Sequence, residues 1–525
     1  MISGKEGKSE ILNGAVVMTI SVLIVKLIGF VYKLPLSYIL GDEGMGFFNS
    51  AYTVFGLFYT LCIGGIPRAI SIITARANES QRRSILKYSL LFFIIIGSVF
   101  SFILFVFSPL IADIIGNKLS RFSIVCIAPS LMFISASGVL RGYLNGHEKL
   151  SYVAIAEVIE GVIKFIVGFC LALYAHRRGY SAPIISAYTI LGVTVGSIIG
   201  SLFLYISVNI LNKAENTGQK CQNNLRFKVV IKSILCIALP ITAGAFISSS
   251  YGTIDLILLI RGLKINVISE KTAVALYGNY STLVIPILNF AVALLSSLST
   301  AWLPRLASTY VTCREEYSKF SIALVRLTSY TVVPMACIIG LFAEDILVLL
   351  FKNESAYIAY PYLRALAPSI MLLPALTALN TALESGKRVL YSFVSLLTGA
   401  IFKLVSEIIL LNFTGLLLYS APISTNIGYG IAFTVSFIFF SRETNASREV
   451  LSALISAIVG AASSFLIARY FVFLRINIIG HTLSLLLSFA LGCVIYAVYL
   501  VIFKRKEIVN ILTFVGFDKK IKKRL

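Results

Sequence analysis

The chain has 525 residues, of which 58% are apolar and only 13% charged, and Lys and Arg outnumber Asp and Glu 45 to 23 for a net charge of +22. Its mean hydropathy is +0.92. Soluble domains carry about 25% charged residues, so the composition excludes a soluble enzyme or binding module and indicates a polytopic membrane protein.

A short polar stretch, Met1 to Asn13, precedes the first apolar run with no small-residue cleavage site, so that run reads as a retained signal anchor. Membrane-length apolar segments follow at residues 14–40, 47–74, 88–110, 122–140, 152–174, 183–211, 234–260, 273–303, 322–342, 357–382, 390–411, 415–440, 450–474 and 479–503. Each can cross a core of about 30 Å as a helix. The short alternating segments of a membrane β-barrel are missing, so the backbone must be satisfied within helices. The expected fold is all-α integral membrane: about 14 transmembrane helices, arranged as two pseudo-symmetric six-helix lobes plus two C-terminal helices. Residues 1–211 would form the first lobe, 212–233 a basic cytoplasmic linker, 234–440 the second lobe, and 441–525 the two added helices and a basic tail.

The positive charge is distributed as the positive-inside rule requires, which argues against nucleic acid as a partner. With the N-terminus cytoplasmic, the inside loops carry Arg76, Arg82, Arg83 and Lys87, then Lys213, Lys220, Arg226, Lys228 and Lys232, then Arg314, Lys319, Lys387 and Arg388. Lys504 to Lys506 and the run Lys519 to Arg524 would lie against anionic headgroups, making membrane lipids a partner. Outside loops hold Asp42, Glu43, Glu344 and Asp345, with basic exceptions at Arg177, Arg178, Arg261, Lys264 and Lys271. This places both termini in the cytoplasm. The eight cysteines are scattered without CxxC pairs, and His147, His176 and His481 stand apart, so neither a metal nor a cofactor is expected.

The two halves resemble each other. Ile66-Pro67-Arg68-Ala69-Ile70-Ser71 matches Leu303-Pro304-Arg305-Leu306-Ala307-Ser308, and Leu144 to Lys149 matches Leu383 to Arg388 at an offset of 239 (383 − 144). At that offset Lys164 falls on Lys403, and near an offset of 228 Lys33 falls on Arg261. Each repeat has an even number of spans, so the copies are related by an axis along the membrane normal.

Charges inside the spans need a polar cavity or a partner, because an ammonium at mid-bilayer costs about 2.5–3.5 kcal/mol. Lys26 and Lys33, seven residues apart, fall on one helix face and are expected to line one cavity, which suits an anionic cargo. Arg68 lies two thirds of the way down the second span, and Asp255 in the seventh offers a counter-ion for the empty cavity. Glu157, Glu160 and Lys164 share a face with Glu160 and Lys164 in the favourable i, i+4 order, and Lys403 and Glu407 repeat the theme reversed. Both lysines fit an ion pair within a bundle as well as a substrate contact. Arg261 and Arg305, near span ends, fit a substrate role or snorkelling to the interface. Pro35, Pro67, Pro286, Pro334, Pro361, Pro368 and Pro374 are expected to bend their spans. Tyr32, Tyr52 and Tyr59 offer rings for stacking on sugars.

The segment Lys26-Leu-Ile-Gly-Phe-Val-Tyr-Lys-Leu-Pro-Leu36, then Gly41-Asp-Glu-Gly-Met-Gly46, Tyr52 and Gly64-Gly-Ile-Pro-Arg-Ala-Ile-Ser71, resembles the opening of the stage V sporulation protein B family. That family lies in the polysaccharide-transport branch of the multidrug/oligosaccharidyl-lipid/polysaccharide exporter superfamily. Leu140-Arg-Gly-Tyr-Leu-Asn-Gly146 fits the Arg-Gly-x-x-Gln/Asn-Gly turn of the same branch. The resemblance implies two six-helix lobes around a V-shaped cavity, and it extends to lipid II flippases, where basic residues of the first, second and eighth helices receive the pyrophosphate. Lys26 falls on the first-helix basic position of that pattern. A second falls on Tyr32, with Lys33 adjacent, and the second-helix pair falls near Leu57 to Cys62, where this chain has no basic residue.

The resulting expectation is a transporter, not an enzyme: a flippase moving a polyprenyl-pyrophosphate-linked saccharide by alternating access for cell-wall, spore-cortex or surface polysaccharide synthesis, with cell-wall polymerases as further partners. The alternative is a cation-coupled multidrug exporter of the same superfamily.

Overall fold

The computed structural model describes residues 6–214, 226–266, 268–351, 354–473, 481–507 and 509. Much of the expected linker (215–225) and the basic run Lys519 to Arg524 lie outside the described residues. Among the described residues there is no strand. The helices are α1 (Glu6–Ile63), α2 (Ile66–Ala75), α3 (Glu79–Val106), α4 (Ser108–Ile115), α5 (Arg121–Ile127), α6 (Ser130–Gly146), α7 (Leu150–Arg177), α8 (Ala182–Ala214), α9 (Phe227–Ile265) and α10 (Glu270–Asn279). They continue as α11 (Ile285–Thr312), α12 (Arg314–Leu341), α13 (Ala343–Phe351), α14 (Glu354–Ser385), α15 (Val389–Phe413), α16 (Ser420–Thr444), α17 (Ser447–Phe473) and α18 (His481–Phe503).

Twelve helical stretches among the described residues are long and apolar enough to cross a membrane, and α5 with α6, bent by 41°, forms a thirteenth as a broken span. One of the twelve, Ile24–Ala75, has 52 residues, or about 78 Å of helix, more than twice the hydrocarbon thickness. It holds two crossings, which brings the total to the fourteen or so that hydropathy predicts. The break between them is at Gly41, with φ 65 and ψ 177, a conformation open essentially to glycine alone. Pro35, expected to bend the first span, lies within continuous helix. Pro67 and Pro286 instead start α2 and α11, where the missing N–H costs nothing. The break expected at Pro286 falls just before it, in a π-helical turn at Tyr280–Val284.

The chain divides into two compact units, residues 1–282 and 283–525. The division lies beyond the expected linker because α9 and α10 pack on α1 and α2. Gly46 meets Gly278 backbone to backbone, and a side chain at Gly65 would collide with Ala238. The first unit is built around Ile66, Ile70, Ile85, Tyr143, Leu144 and Leu204. Two glycine stripes set its close approaches, the small-residue packing that membrane helices favour. Gly138, Gly142 and Gly146 of α6 lie against Ile63, Pro67 and Thr74, while Gly192, Gly196 and Gly200 of α8 lie against the α7 backbone near Glu160 and Lys164. The second unit has two apolar clusters, one around Tyr317, Leu324, Leu379 and Phe440 and one joining α12 to α17 and α18 through Val333, Ala457, Phe465 and Tyr496.

Candidate functional site

Within the first unit, the two halves of α1 together with α6 and α7 enclose a cavity of about 410 Å³. Its wall carries Lys26 and Tyr32 from the first half of α1, Tyr52, Phe55 and Tyr59 from the second, Arg141 from α6, and Glu157, Glu160 and Lys164 from α7. The fold-back at Gly41 brings residues 26 and 52 to the same space. The glycine stripes do the rest. Arg141 and Asn145 each precede a stripe glycine and so lie on the adjacent α6 face, and the α8 stripe lets α7 close in where its charged residues are.

Arg141 is the centre of the electrostatics. Its Nη1 donates to Glu157 Oε1 at 2.9 Å and its Nη2 to Glu160 Oε2 at 2.8 Å, with the guanidinium side chain only 13% exposed. Lys164 Nζ donates to the Tyr52 hydroxyl at 3.0 Å and lies 4.4 Å from that ring's centroid. The pair Glu160 and Lys164, expected from i, i+4 spacing, is not formed. A planar guanidinium presents two parallel donors to the carboxylates and outcompetes a point-charge ammonium for them. Lys26 has no hydrogen-bond or ion-pair partner among the described residues. Three basic and two acidic side chains line the cavity, leaving one positive charge in excess.

The remaining residues singled out from sequence are dispersed. Lys33 leaves the wall it was expected to share with Lys26. Its ammonium donates to Asn49 Oδ1 at 3.2 Å and to the Ser281 carbonyl at 3.1 Å, because the second half of α1 folds back and presents Asn49 to it. Arg68 is exposed on α2 outside the cavity wall. Asp255 is buried on α9, also off the wall, and Arg261 donates to the Asp113 carbonyl at 3.0 Å. In the second unit Arg305 is exposed with its guanidinium 4.4 Å from the Phe320 ring centroid. Lys403 is fully buried there, donating to Thr425 Oγ1 at 2.6 Å and lying 3.6 Å from Glu407.

Arg141 is not among the site residues the sequence picks out, because its motif resembles a turn after the fourth span. It lies on α6, five residues before the helix ends. The available signal was the Gly138, Gly142, Gly146 spacing, which continues the helix through the motif and places Arg141 beside a packing face.

Residues 11–310 match the family described as "Polysaccharide biosynthesis protein". The chain is similar to stage V sporulation protein B of Bacillus subtilis (strain 168), 23% identical over 416 residues covering 76% of this chain and 79% of that protein. It is also similar to the lipid II flippase MurJ of the same organism, 22% identical over 483 residues covering 86% and 88%. Among solved structures, the lipid II flippase MurJ in its inward closed conformation superposes with a TM-score of 0.68 at 14% identity, covering 94% of this chain and all (100%) of that one. The expected all-helical exporter fold is therefore the observed one. On the family match and the helical spans, this multi-pass membrane protein belongs to the polysaccharide biosynthesis protein family.

Proposed function

We propose that the protein is a flippase that moves a polyprenyl-diphosphate-linked saccharide across the cytoplasmic membrane, with both termini on the cytoplasmic side. The observation that carries this reading is the cavity in the first unit, where Lys26, Lys164 and Arg141 outnumber Glu157 and Glu160 on one wall. A diphosphate diester brings two negative charges into a region where charges are expensive. The excess positive charge on the wall, supported by Lys33, balances that load, and each Nη of Arg141 has a second N–H beyond its carboxylate bond to offer a phosphate oxygen. The lipid tail stays in the bilayer, so only the headgroup needs shielding. The two repeats, residues 1–211 and 234–440, serve as the lobes of an alternating-access cycle in which α9 and α10 are seated on α1 and α2 in the state seen here, and the membrane potential supplies about 2.3 kcal/mol per unit charge per 100 mV. The similarity to a lipid II flippase supports the same class of cargo.

Glu157 and Glu160 give the drug-exporter reading its one specific support, because buried carboxylates attract organic cations. Both are occupied by Arg141, which weighs against that reading. The deciding experiment is reconstitution in proteoliposomes with labelled polyprenyl-diphosphate sugars and, separately, labelled drug cations. Protein-dependent sugar translocation that is lost in Lys26→Ala with Lys164→Ala supports the flippase. Equal translocation by parent and double variant, or cation transport alone, overturns it.

A further inference from the structure

A second cavity of about 300 Å³ adjoins the first, and Tyr59, Arg141 and Glu157 line both. Its other wall residues include Gly64, Pro67 and Asn145. Two buried polar atoms of these wall residues have no hydrogen-bond partner among the described residues: Nε of Arg141 and Oδ1 of Asn145. They lie one turn apart on α6, at positions i and i+4, so they point to one side of the helix. One is an N–H donor and the other an amide acceptor. Buried polar groups are hydrogen-bonded in the great majority of cases, so a complementary orphaned pair at a cavity edge calls for an occupant that can accept from one and donate to the other.

The corresponding place in the second repeat makes the contrast plain. At the offset of 239, Arg141 becomes Asn380, Glu157 becomes Leu396 and Glu160 becomes Gly399. Asn380 Oδ1 accepts from Ser436 and from Ser395, the latter at 3.4 Å. Asn145 becomes Glu384, whose Oε1 accepts from Ser392 at 2.9 Å, so the polar groups there are met from within the protein, whereas in the first unit Arg141 Nε and Asn145 Oδ1 have no partner among the described residues.

Resting on the flippase reading above, we infer that this smaller cavity is a saccharide subsite. It holds the first sugar residue of the headgroup through a substituent offering an acceptor to Arg141 Nε and a donor to Asn145 Oδ1, as an acetamido group or a vicinal diol does. Tyr59 supplies the apolar face for the ring. Arg141 then touches both parts of the cargo, with the second N–H of each Nη toward the diphosphate and its Nε toward the sugar. The subsite makes the protein selective for glycosylated over bare polyprenyl diphosphate, with Asn145 as the specificity-determining residue.

The test is equilibrium binding to the full-length protein in nanodiscs, using three probes: bare polyprenyl diphosphate and the same lipid carrying N-acetylglucosamine or glucose. The parent is expected to bind at least one glycosylated probe about tenfold more tightly than the bare one. Tighter binding of the N-acetylglucosamine probe assigns the acetamido group, and equal binding of both sugars assigns the hydroxyls. Asn145→Leu should lose the preference while keeping its affinity for the bare lipid, and Asn145→Gln should retain part of it. If the parent binds all three probes equally, or Asn145→Leu keeps the full preference, the subsite is wrong while the diphosphate site stands. If the parent binds none of them, the flippase reading falls and the subsite with it. The parent's preference is read without any variant, so a poorly folding Asn145→Leu does not shield the inference.

Discussion

Lys164 turns away from Glu160, one helical turn before it, and places its ammonium 3.0 Å from the hydroxyl of Tyr52 and 4.4 Å from the centre of that ring. Its repeat counterpart Lys403 is sealed against Glu407 and Thr425 with no exposure at all. One lysine has a neutral partner facing a cavity, and the other is neutralised in a core. Lys164→Ala is therefore expected to lower sugar-lipid translocation at least tenfold while shifting the unfolding midpoint little. Lys403→Ala should do the opposite, losing about 3–5 kcal/mol of stability because Glu407 is left as an uncompensated buried charge. Lys403→Met combined with Glu407→Leu should recover most of that loss. Thermal unfolding in detergent beside the transport assay checks all three, and a destabilised Lys164→Ala with normal transport would refute the assignment.

Arg141 neutralises two carboxylates at once, so its removal harms the protein in two separable ways. Arg141→Ala should destabilise the first unit by a few kcal/mol through the orphaned Glu157 and Glu160 and should also abolish diphosphate binding. Adding Glu157→Gln and Glu160→Gln should restore the unfolding midpoint without restoring binding. If binding returns with stability, Arg141 acts only as a structural counter-ion.

Gly41 tests how the fold builds the cavity. A side chain there meets no atom within 4 Å, yet φ of +65 with ψ of 177 is strained for any other residue. Gly41→Ala should cost about 1–3 kcal/mol by backbone strain alone, seen as a lower unfolding midpoint. Gly46→Ala fails differently, because its methyl would collide with the Val274 carbonyl.

The C-terminal helices are fastened by an ionisable latch. Glu507 Oε2 accepts from the Tyr330 hydroxyl at 2.5 Å, and its Oε1 from Lys504 Nζ at 3.0 Å, with Arg326 Nε 3.8 Å away. Burial pushes the Glu507 carboxyl up, but the bonds from Tyr330 and Lys504 and the Arg326 charge together hold it below the usual carboxylate range. A depressed carboxylate stabilises the fold above its unfolded value of about 4.3 and loses that contribution as pH falls through the lower folded value. The unfolding midpoint of the parent should exceed that of Glu507→Gln at pH 7, and the gap should close below about pH 4. A gap independent of pH would show that the carboxylate charge contributes nothing.

Membrane class, helical backbone and the approximate number of crossings are legible in the amino-acid order, because each rests on local chemistry: twenty or so apolar residues must cross as a helix whatever lies beside them. The same order also marked Lys26 and Lys164 as charges in need of explanation. What those charges do was decided by tertiary structure, since a partner is chosen by whichever donor and acceptor the packing brings closest. The turn at Gly41 delivered Asn49 to Lys33 and Tyr52 to Lys164, and the glycine stripes delivered Arg141 to Glu157 and Glu160. Repeat symmetry, legible in letters, gave Lys164 and Lys403 the same address. Only the burial around each one separated a cavity lysine from a core ion pair.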